Sequence, residues 1–340
     1  MQFVRKILFP FAILFGWITF FRNKLYDWAF YKSYNIPQKS ICIGNLSIGG
    51  TGKTPLVTYL GDHFKDKMKL AILSRGYGRT SKGFLEVFNN SLSEQVGDEP
   101  LFYAQRFDKN TRVFVAEKRA EGIQQIAKTY PDNNLLLLDD AFQHRAVKAG
   151  FSIVLTDFSS PFFEDHLLPT GNLREYASGV KRADCVIVSK CPISLSPEIK
   201  TKYIEKIACS NVFFSSIIYE DIRPIGSPKT EIKQVLLVTG IANPQPLIDE
   251  LSQNYSVEII QFDDHHSFNQ KDIEKIHQKF DTFVQETSII LTTEKDYTRL
   301  KMHVKEWELN NYPWYYQPIA LKIEEENKFI QLIERYVNAI

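Results

Sequence analysis

Cysteine is scarce: Cys42, Cys185, Cys191 and Cys209 form no CxxC pair. A chain of this size needs no disulfide staples, so a disulfide framework is excluded and a reducing cytosolic setting fits best. An excess of one charge sign is lacking too, because 41 Lys and Arg stand against 40 Asp and Glu. The resulting net charge of +1 makes no broad field for a polyanion, and nucleic acid is not an expected partner. Internal repeats and low-complexity tracts are absent. The N-terminal apolar run from Ile7 to Phe21 (ILFPFAILFGWITFF) is too short to cross a bilayer, about fifteen residues where roughly twenty are needed, and Pro10 and Gly16 interrupt it.

That run is nevertheless unlike the rest of the chain. Arg5 and Lys6 precede it, Arg22 and Lys24 follow it, and Trp17, Tyr26, Trp28 and Tyr31 lie in or just after it. Basic ends and aromatic residues suit a helix lying in the interface against anionic headgroups. A signal peptide would end in a small-residue cleavage site, and none follows. Export would also strand the nucleotide site described below outside the cytosol. A buried core helix is the plain alternative.

With 340 residues the chain is long enough for two α/β lobes. From Ser40 onward short apolar runs alternate with longer amphipathic ones, the pattern of a doubly wound, largely parallel sheet. Strands are expected at Ser40 to Asn45, Lys69 to Ser74, Arg112 to Val115, Asn134 to Leu138, Ser152 to Thr156, Cys185 to Ser189 and Val212 to Ile218. Helices are expected between them, notably over Thr54 to Phe64, Glu99 to Phe107 and Glu117 to Thr129. The stretch Tyr219 to Lys233 (YEDIRPIGSPKTEIK) breaks the rhythm, which restarts at Val235. Three parts follow: an anchoring helix over 1–30, a P-loop domain over 31–220 and a smaller α/β domain over 221–340. The last should hold strands at Val235 to Thr239, Val257 to Phe262, Ser288 to Thr292 and near Trp314 to Ile319, with a closing helix over Asn327 to Val337.

Strand, glycine-rich turn and helix come in the order of a phosphate-cradling loop at Ser47, Ile48, Gly49, Gly50, Thr51, Gly52, Lys53 and Thr54 (SIGGTGKT). The glycines let backbone N–H groups approach phosphate oxygens, and the helix N-terminus adds partial positive charge. Lys53 would reach the β and γ phosphates of ATP, and the Thr54 hydroxyl would ligate Mg²⁺. The usual pattern has glycine where Ser47 stands. A second apolar strand ends in Asp139 and Asp140 (LLLLDD), a pair that suits a metal. Asp139 is expected to hold Mg²⁺ and Asp140 to orient the nucleotide or the metal's waters, although the order can be reversed.

Phosphoryl transfer to an alcohol also needs a base for the acceptor proton. Asp98, in GDEP, is the candidate, with a simple cap on the following helix as the alternative. Arg75 and Arg79 (SRGYGR) follow a strand and fit an anionic substrate. Gln143, His144 and Arg145 trail the acidic pair, and PTGNLRE supplies Asn172, Arg174 and Glu175; solvated turns are the bland readings. FDDHHSF, Phe262 to Phe268, gathers acids and histidines without an obvious third metal ligand. TTEKD, Thr292 to Asp296, is either a capped helix start or a ligand-facing loop.

In joint order these segments (GNLSIGGTGKTP, SRGYGR, GDEP, LLLLDDAFQHR, GNLRE, DDHHSF, TTEKD) resemble the tetraacyldisaccharide 4'-kinase family of lipid A biosynthesis over nearly the whole chain. Ser47 agrees with that family's loop. The resemblance implies transfer of the γ-phosphate of ATP to the 4'-hydroxyl of a tetraacylated glucosamine disaccharide 1-phosphate. It implies Asp98 as general base, paired with His265 from the other lobe, His266 being the substitute. Lys53 and Asp140 complete the expected catalytic set; Thr54, Asp139 and Gln143 are the expected metal residues, with His144 close by. Arg75, Arg79, Asn172, Arg174 and Glu175 are expected on the substrate side. A monomer without protein partners is expected, peripheral or monotopic on the cytoplasmic face of the inner membrane, where an acylated acceptor resides.

Two rivals differ in class. A membrane-bound NTPase switch shares the GGxGKT loop, but its signature lysine falls where this chain has Ile48. A kinase for a soluble small molecule would make the N-terminal run part of the core.

Overall fold

The computed structural model describes residues 8–107, 111–226, 228–264, 266–301, 304, 309 and 311–339. Its first ten strands are β1 (Tyr34–Asn35), β2 (Lys39–Asn45), β3 (Leu70–Ser74), β4 (Leu85–Val87), β5 (Thr111–Val115), β6 (Leu135–Asp139), β7 (Val147–Lys148), β8 (Phe151–Asp157), β9 (Cys185–Ser189) and β10 (Val212–Tyr219). Six more follow: β11 (Arg223–Pro224), β12 (Gln234–Thr239), β13 (Ser256–Gln261), β14 (Ser288–Thr293), β15 (Trp314–Gln317) and β16 (Ile319–Ile323). The main sheet has the order β16-β10-β9-β8-β2-β6-β3-β5-β4. Only its two edge pairings, β10 with β16 and β5 with β4, are antiparallel.

The central strands are almost wholly apolar because both their faces are covered. Ile41, Ile43, Leu70, Ile72, Leu135 and Leu137 point into one core, and Cys42, Ala71, Leu73, Leu136 and Leu138 into the other. This is the two-residue alternation of a pleated strand. The first core is closed by α2 (Lys53–Phe64) and α3 (Asp98–Arg106), the second by α4 (Arg119–Thr129). Because β2 lies at the centre with β6 beside it, the phosphate loop and the acidic pair emerge next to each other at the carboxyl edge of the sheet.

The N-terminal run forms one helix, α1 (Phe9–Asp27), unbroken by either interrupting residue. Pro10 falls in the first turn, where its missing N–H costs nothing. Gly16 sits under Tyr176, whose hydroxyl would lie 2.5 Å from a Cβ there. Ala12, Gly16 and Thr19 are the buried positions, while Phe9, Phe11, Leu14, Trp17, Ile18, Phe20 and Phe21 are exposed. The helix therefore packs along a small-residue stripe and turns its large apolar side chains outward. Among the described residues no helix is long and apolar enough to cross a membrane.

α5 (Pro197–Lys206) covers the β9–β10 side, and its N-cap Ser196 accepts from the backbone N–H of Ile199. The second sheet, β11-β15-β14-β12-β13, is parallel apart from β11 and is flanked by α6 (Gln245–Leu251), α7 (Gln270–Phe280) and α8 (Glu294–Leu300). The strand expected near Trp314 to Ile319 is two strands parted at Pro318, which has no N–H to give a ladder. β15 completes the second sheet; β16 crosses back to β10. α9 (Glu326–Asn338) follows it and buries Phe329, Ile333 and Val337 in the first lobe's core. The expected 221–340 unit is thus corrected, since its last two elements complete the first lobe.

Candidate active site

The loop after β2 is shaped by its glycines. Gly52 is the N-cap of α2 at φ 84°, a left-handed conformation that costs an L side chain about 1–2 kcal/mol. A Cβ on Gly49 or Gly50 would meet no protein atom within 4 Å, so the loop faces open space. Ser47 is bridged to Leu173, and the Ile48 N–H donates to the Asn172 carbonyl at 2.8 Å. The GNLRE loop thereby braces the entry to the glycines. Behind them, the Thr51 carbonyl accepts from Ser189 Oγ at 2.8 Å.

Lys53 Nζ lies 3.4 Å from Asn45 Oδ1 and 3.6 Å from Asp140 Oδ1. Thr54 Oγ1 donates to Glu99 Oε1 at 3.0 Å. Asp139, at the end of β6, is 1% exposed, and neither carboxylate oxygen has a well-formed hydrogen bond among the described residues. Burial, with Glu99 and Asp140 as negative neighbours, pushes its carboxyl up to about 7. Asp140 has a left-handed backbone, φ 48°, and accepts from Arg174 Nη1 at 2.9 and 3.1 Å. Burial works against its charge, but Lys53 and Arg174 hold it below the ordinary aspartate value. Glu99 is likewise held low against burial by Lys295, Lys53 and the Thr54 hydroxyl.

Asp98 is the first residue of α3, whose N-cap is Gly97 at φ 92° and carries no side-chain cap. Asp98 therefore lies in the first turn of the helix and is not its N-cap residue. A Cβ on Gly97 would lie 3.1 Å from Gly76 Cα, so SRGYGR and GDEP touch through two glycines. Arg299 Nη1 stands 3.6 Å from Asp98 Oδ2. His265 lies outside the described residues. His266 bonds Asp272 at 2.9 Å and stacks on Phe262, which commits its ring to the second lobe.

Several expected site residues prove to be engaged elsewhere. Arg79, its side chain 2% exposed, pairs with Glu117 at 2.7 Å and cannot face a substrate. Glu175 is 1% exposed and accepts from Asn23 of α1, Gln143 and Arg182. It ties α1 to the core instead of lining the substrate side. Gln143 Nε2 donates to the Asn45 carbonyl at 2.7 Å and to Glu175, and its Oε1, the atom that could meet a metal, lies 3.5 Å from Arg174 Nη1. Among the described residues, which leave out His265 of FDDHHSF, no three His, Cys, Asp or Glu side chains gather as a metal cluster.

Arg75 is exposed. Burial, then Arg119, Arg75 and Arg22, push His144 down to about 4, which places a neutral imidazole among three cations. Asn23, Glu99, Arg119, Lys295 and Arg299 escaped the sequence reading. Glu99 had a signal, since a loop threonine that ligates a cation needs an acceptor for its hydrogen. Asn23 and Arg119 had none. The Arg119 guanidinium is buried behind the acidic pair, donating to the Ala116 and Asp139 carbonyls.

A phosphate loop, an acidic strand end beside it and a cationic rim identify a phosphoryl-transfer centre but not its acceptor. The family model described as tetraacyldisaccharide-1-P 4'-kinase matches residues 4–338. The chain belongs to that family. Membership makes it a kinase, of the class that phosphorylates lipid A precursors at the 4' position. The tetraacyldisaccharide 4'-kinase of Flavobacterium psychrophilum is 42% identical, covering 100% of this chain and 98% of that protein. That of Bacteroides thetaiotaomicron is 40% identical over 98% of this chain and 93% of its own. The crystal structure of the "apo" form of LpxK from Aquifex aeolicus in complex with ATP matches with a TM-score of 0.77 at 28% identity, covering 98% of this chain and 99% of that one.

Proposed function

We propose that the chain transfers the γ-phosphate of ATP to the 4'-hydroxyl of a tetraacylated glucosamine disaccharide 1-phosphate at a membrane surface. The observation that carries this reading is the carboxyl edge of β2 and β6. There Lys53 and Thr54 stand beside Asp140, Glu99 and a buried Asp139 with unmet oxygens.

An orphaned buried carboxylate next to a loop threonine fits a hard divalent cation, which takes one or two carboxylates and completes its shell with phosphate and water. Asp139 and Thr54 would hold Mg²⁺, which when bound neutralises phosphate charge. Lys53 binds the β and γ phosphates and keeps Asp140 ionised for orienting the nucleotide. The backbone N–H groups of Gly49, Gly50, Gly52, Lys53 and Thr54 would surround the phosphates, those of Ile48 and Thr51 being taken by the Asn172 and Gly49 carbonyls.

Asp98 accepts the proton of the 4'-hydroxyl as that oxygen bonds the γ-phosphorus and the bond to the β–γ bridging oxygen breaks, releasing ADP. Arg299 Nη1 stands 3.6 Å from Asp98 Oδ2, and His265 is the partner that the family resemblance implies for this base. Arg75 with Arg22 meets the anionic acceptor, with Arg119 adding its charge from behind; Arg174 acts through Asp140. The exposed apolar face of α1, ending in Arg22 and Lys24, supports attachment to the cytoplasmic face of the inner membrane without crossing it. The acceptor's acyl chains keep it in that same surface. Such an enzyme works as a monomer.

The test is incubation with γ-labelled ATP, Mg²⁺ and the tetraacylated disaccharide 1-phosphate, following label into lipid. Label at the 4' position is expected. ATP binding without transfer to that lipid overturns the reading, and transfer to a soluble acceptor alone would support a small-molecule kinase.

A further inference from the structure

The TTEKD segment belongs to the second lobe, yet it makes the charged contacts to the helix that carries Asp98 and Glu99. Thr293 caps α8 by accepting from the backbone N–H of Asp296 at 3.0 Å. Asp296 is fully buried and accepts from Thr239 Oγ1 at 2.9 Å, Gly240 N at 3.1 Å and Thr293 Oγ1 at 2.7 Å. It also pairs with Arg299. A carboxylate satisfied by this many donors fixes the start of α8 against the end of β12. The residues preceding it are thereby presented toward α3: Glu294 reaches Arg106 at 3.2 Å, and Lys295 Nζ reaches Glu99 Oε1 at 3.4 Å.

The same Glu99 oxygen accepts the Thr54 hydroxyl at 3.0 Å. A threonine hydroxyl has one hydrogen and two lone pairs, so donating to Glu99 leaves its oxygen free to face a cation. Were Glu99 to rotate away, Thr54 could turn its hydrogen elsewhere and present the wrong side.

We propose that Lys295 is a positioning residue for the divalent cation: reaching across from the second lobe, its ammonium pins Glu99 in the orientation that aims the Thr54 oxygen at the metal. This rests on Thr54 being a Mg²⁺ ligand. The contact chain Lys295, Glu99, Thr54 joins the second lobe to the first turn of the P-loop helix, and it gives the TTEKD segment a task beyond starting a helix. Outer residues that orient metal ligands characteristically alter metal affinity about 10- to 100-fold when removed.

Calorimetric titration of ATP in EDTA and in Mg²⁺ tests it on the full chain. Lys295→Met should bind metal-free ATP within about twofold of the unmodified protein and lose about tenfold of the enhancement that Mg²⁺ gives. Lys295→Arg should restore most of that enhancement. The double variant with Glu99→Gln should be no worse than Glu99→Gln alone, because both act through one contact. Unchanged Mg²⁺ enhancement in Lys295→Met overturns the proposal, and so does equal weakening in EDTA, which would mean that Lys295 touches phosphate directly. Should Lys295→Met fail to fold, Lys295→Gln with Glu99→Gln carries the same comparison. An unmodified protein whose ATP binding ignores Mg²⁺ removes the role of Thr54 and the proposal with it. Loss confined to Lys295→Met leaves that role standing.

Discussion

Asn23 Nδ2 of α1 donates to Glu175 Oε2 at 2.8 Å, joining positions 152 residues apart. Gln143 and Arg182 donate to the other oxygen of the same buried carboxylate, at 3.1 and 2.8 Å. Removing the acceptor leaves a guanidinium and two amides without their partner at one point, a change that typically costs about 3–5 kcal/mol when a buried pair is broken. Glu175→Ala should lower stability by roughly 3 kcal/mol in urea unfolding. It should also loosen α1, seen as faster proteolysis near residue 27. Unchanged stability would restore Glu175 to the substrate side.

Asp139 predicts a pH dependence that the cation should abolish. Its carboxyl stands at about 7 in the folded chain because of burial and its acidic neighbours, against about 4 when unfolded. The folded state therefore holds the proton more tightly. Stability in EDTA should be greatest below about pH 4 as far as this group is concerned, and should fall as pH rises through about 7. Between about pH 5 and 8 the loss should be on the order of 2 kcal/mol, measured by urea unfolding, and Asp139→Asn should flatten it. Mg²⁺ with ATP should restore the stability at the upper pH in the unmodified chain only. A flat profile in EDTA would contradict the unmet carboxylate.

The outline of both lobes was legible because their strands are buried on both faces, so runs such as Leu135 to Leu138 carry no polar position to confuse the reading. The phosphate loop and acidic pair were legible because their chemistry is local in sequence. What escaped depends on contacts between distant segments. Whether Arg79 faces solvent or Glu117 cannot be read from SRGYGR, since both require the same residue. Lys295 and Arg299 reach the site only because α8 docks against α3, a relationship set by Asp296 and Gly240. The return of β16 and α9 to the first lobe hinges on Pro318 ending one strand, a break that the aromatic run around it conceals.

Asp98 should separate binding from chemistry. It touches Arg299 and begins α3, one helix away from the lysine and glycines of the phosphate loop. Asp98→Ala is expected to lower kcat about 10²- to 10⁴-fold with ATP affinity near that of the unmodified chain. Single-turnover transfer together with calorimetric ATP binding checks both halves. Turnover that survives the change would move the base elsewhere, whereas lost ATP affinity would make Asp98 a nucleotide residue.

The exposed face of α1 can be tested without disturbing the packed one. Phe11, Trp17 and Phe21 are 61%, 59% and 50% exposed, whereas the helix is held by Ala12, Gly16, Thr19 and Asn23. Deleting the helix would unpair Glu175 and confuse anchoring with folding; replacing the three exposed rings by serine would not. Burying one large apolar side chain is worth about 1.5–3 kcal/mol, so three together should lower partition onto vesicles at least about 100-fold. With Arg22 and Lys24 facing headgroups, partition should also weaken as salt rises, more steeply on anionic than on neutral vesicles. The triple variant should unfold at the same urea concentration as the unmodified chain. Unchanged vesicle partition would return α1 to the role of a core helix, and would leave the kinase to meet its acceptor by another surface.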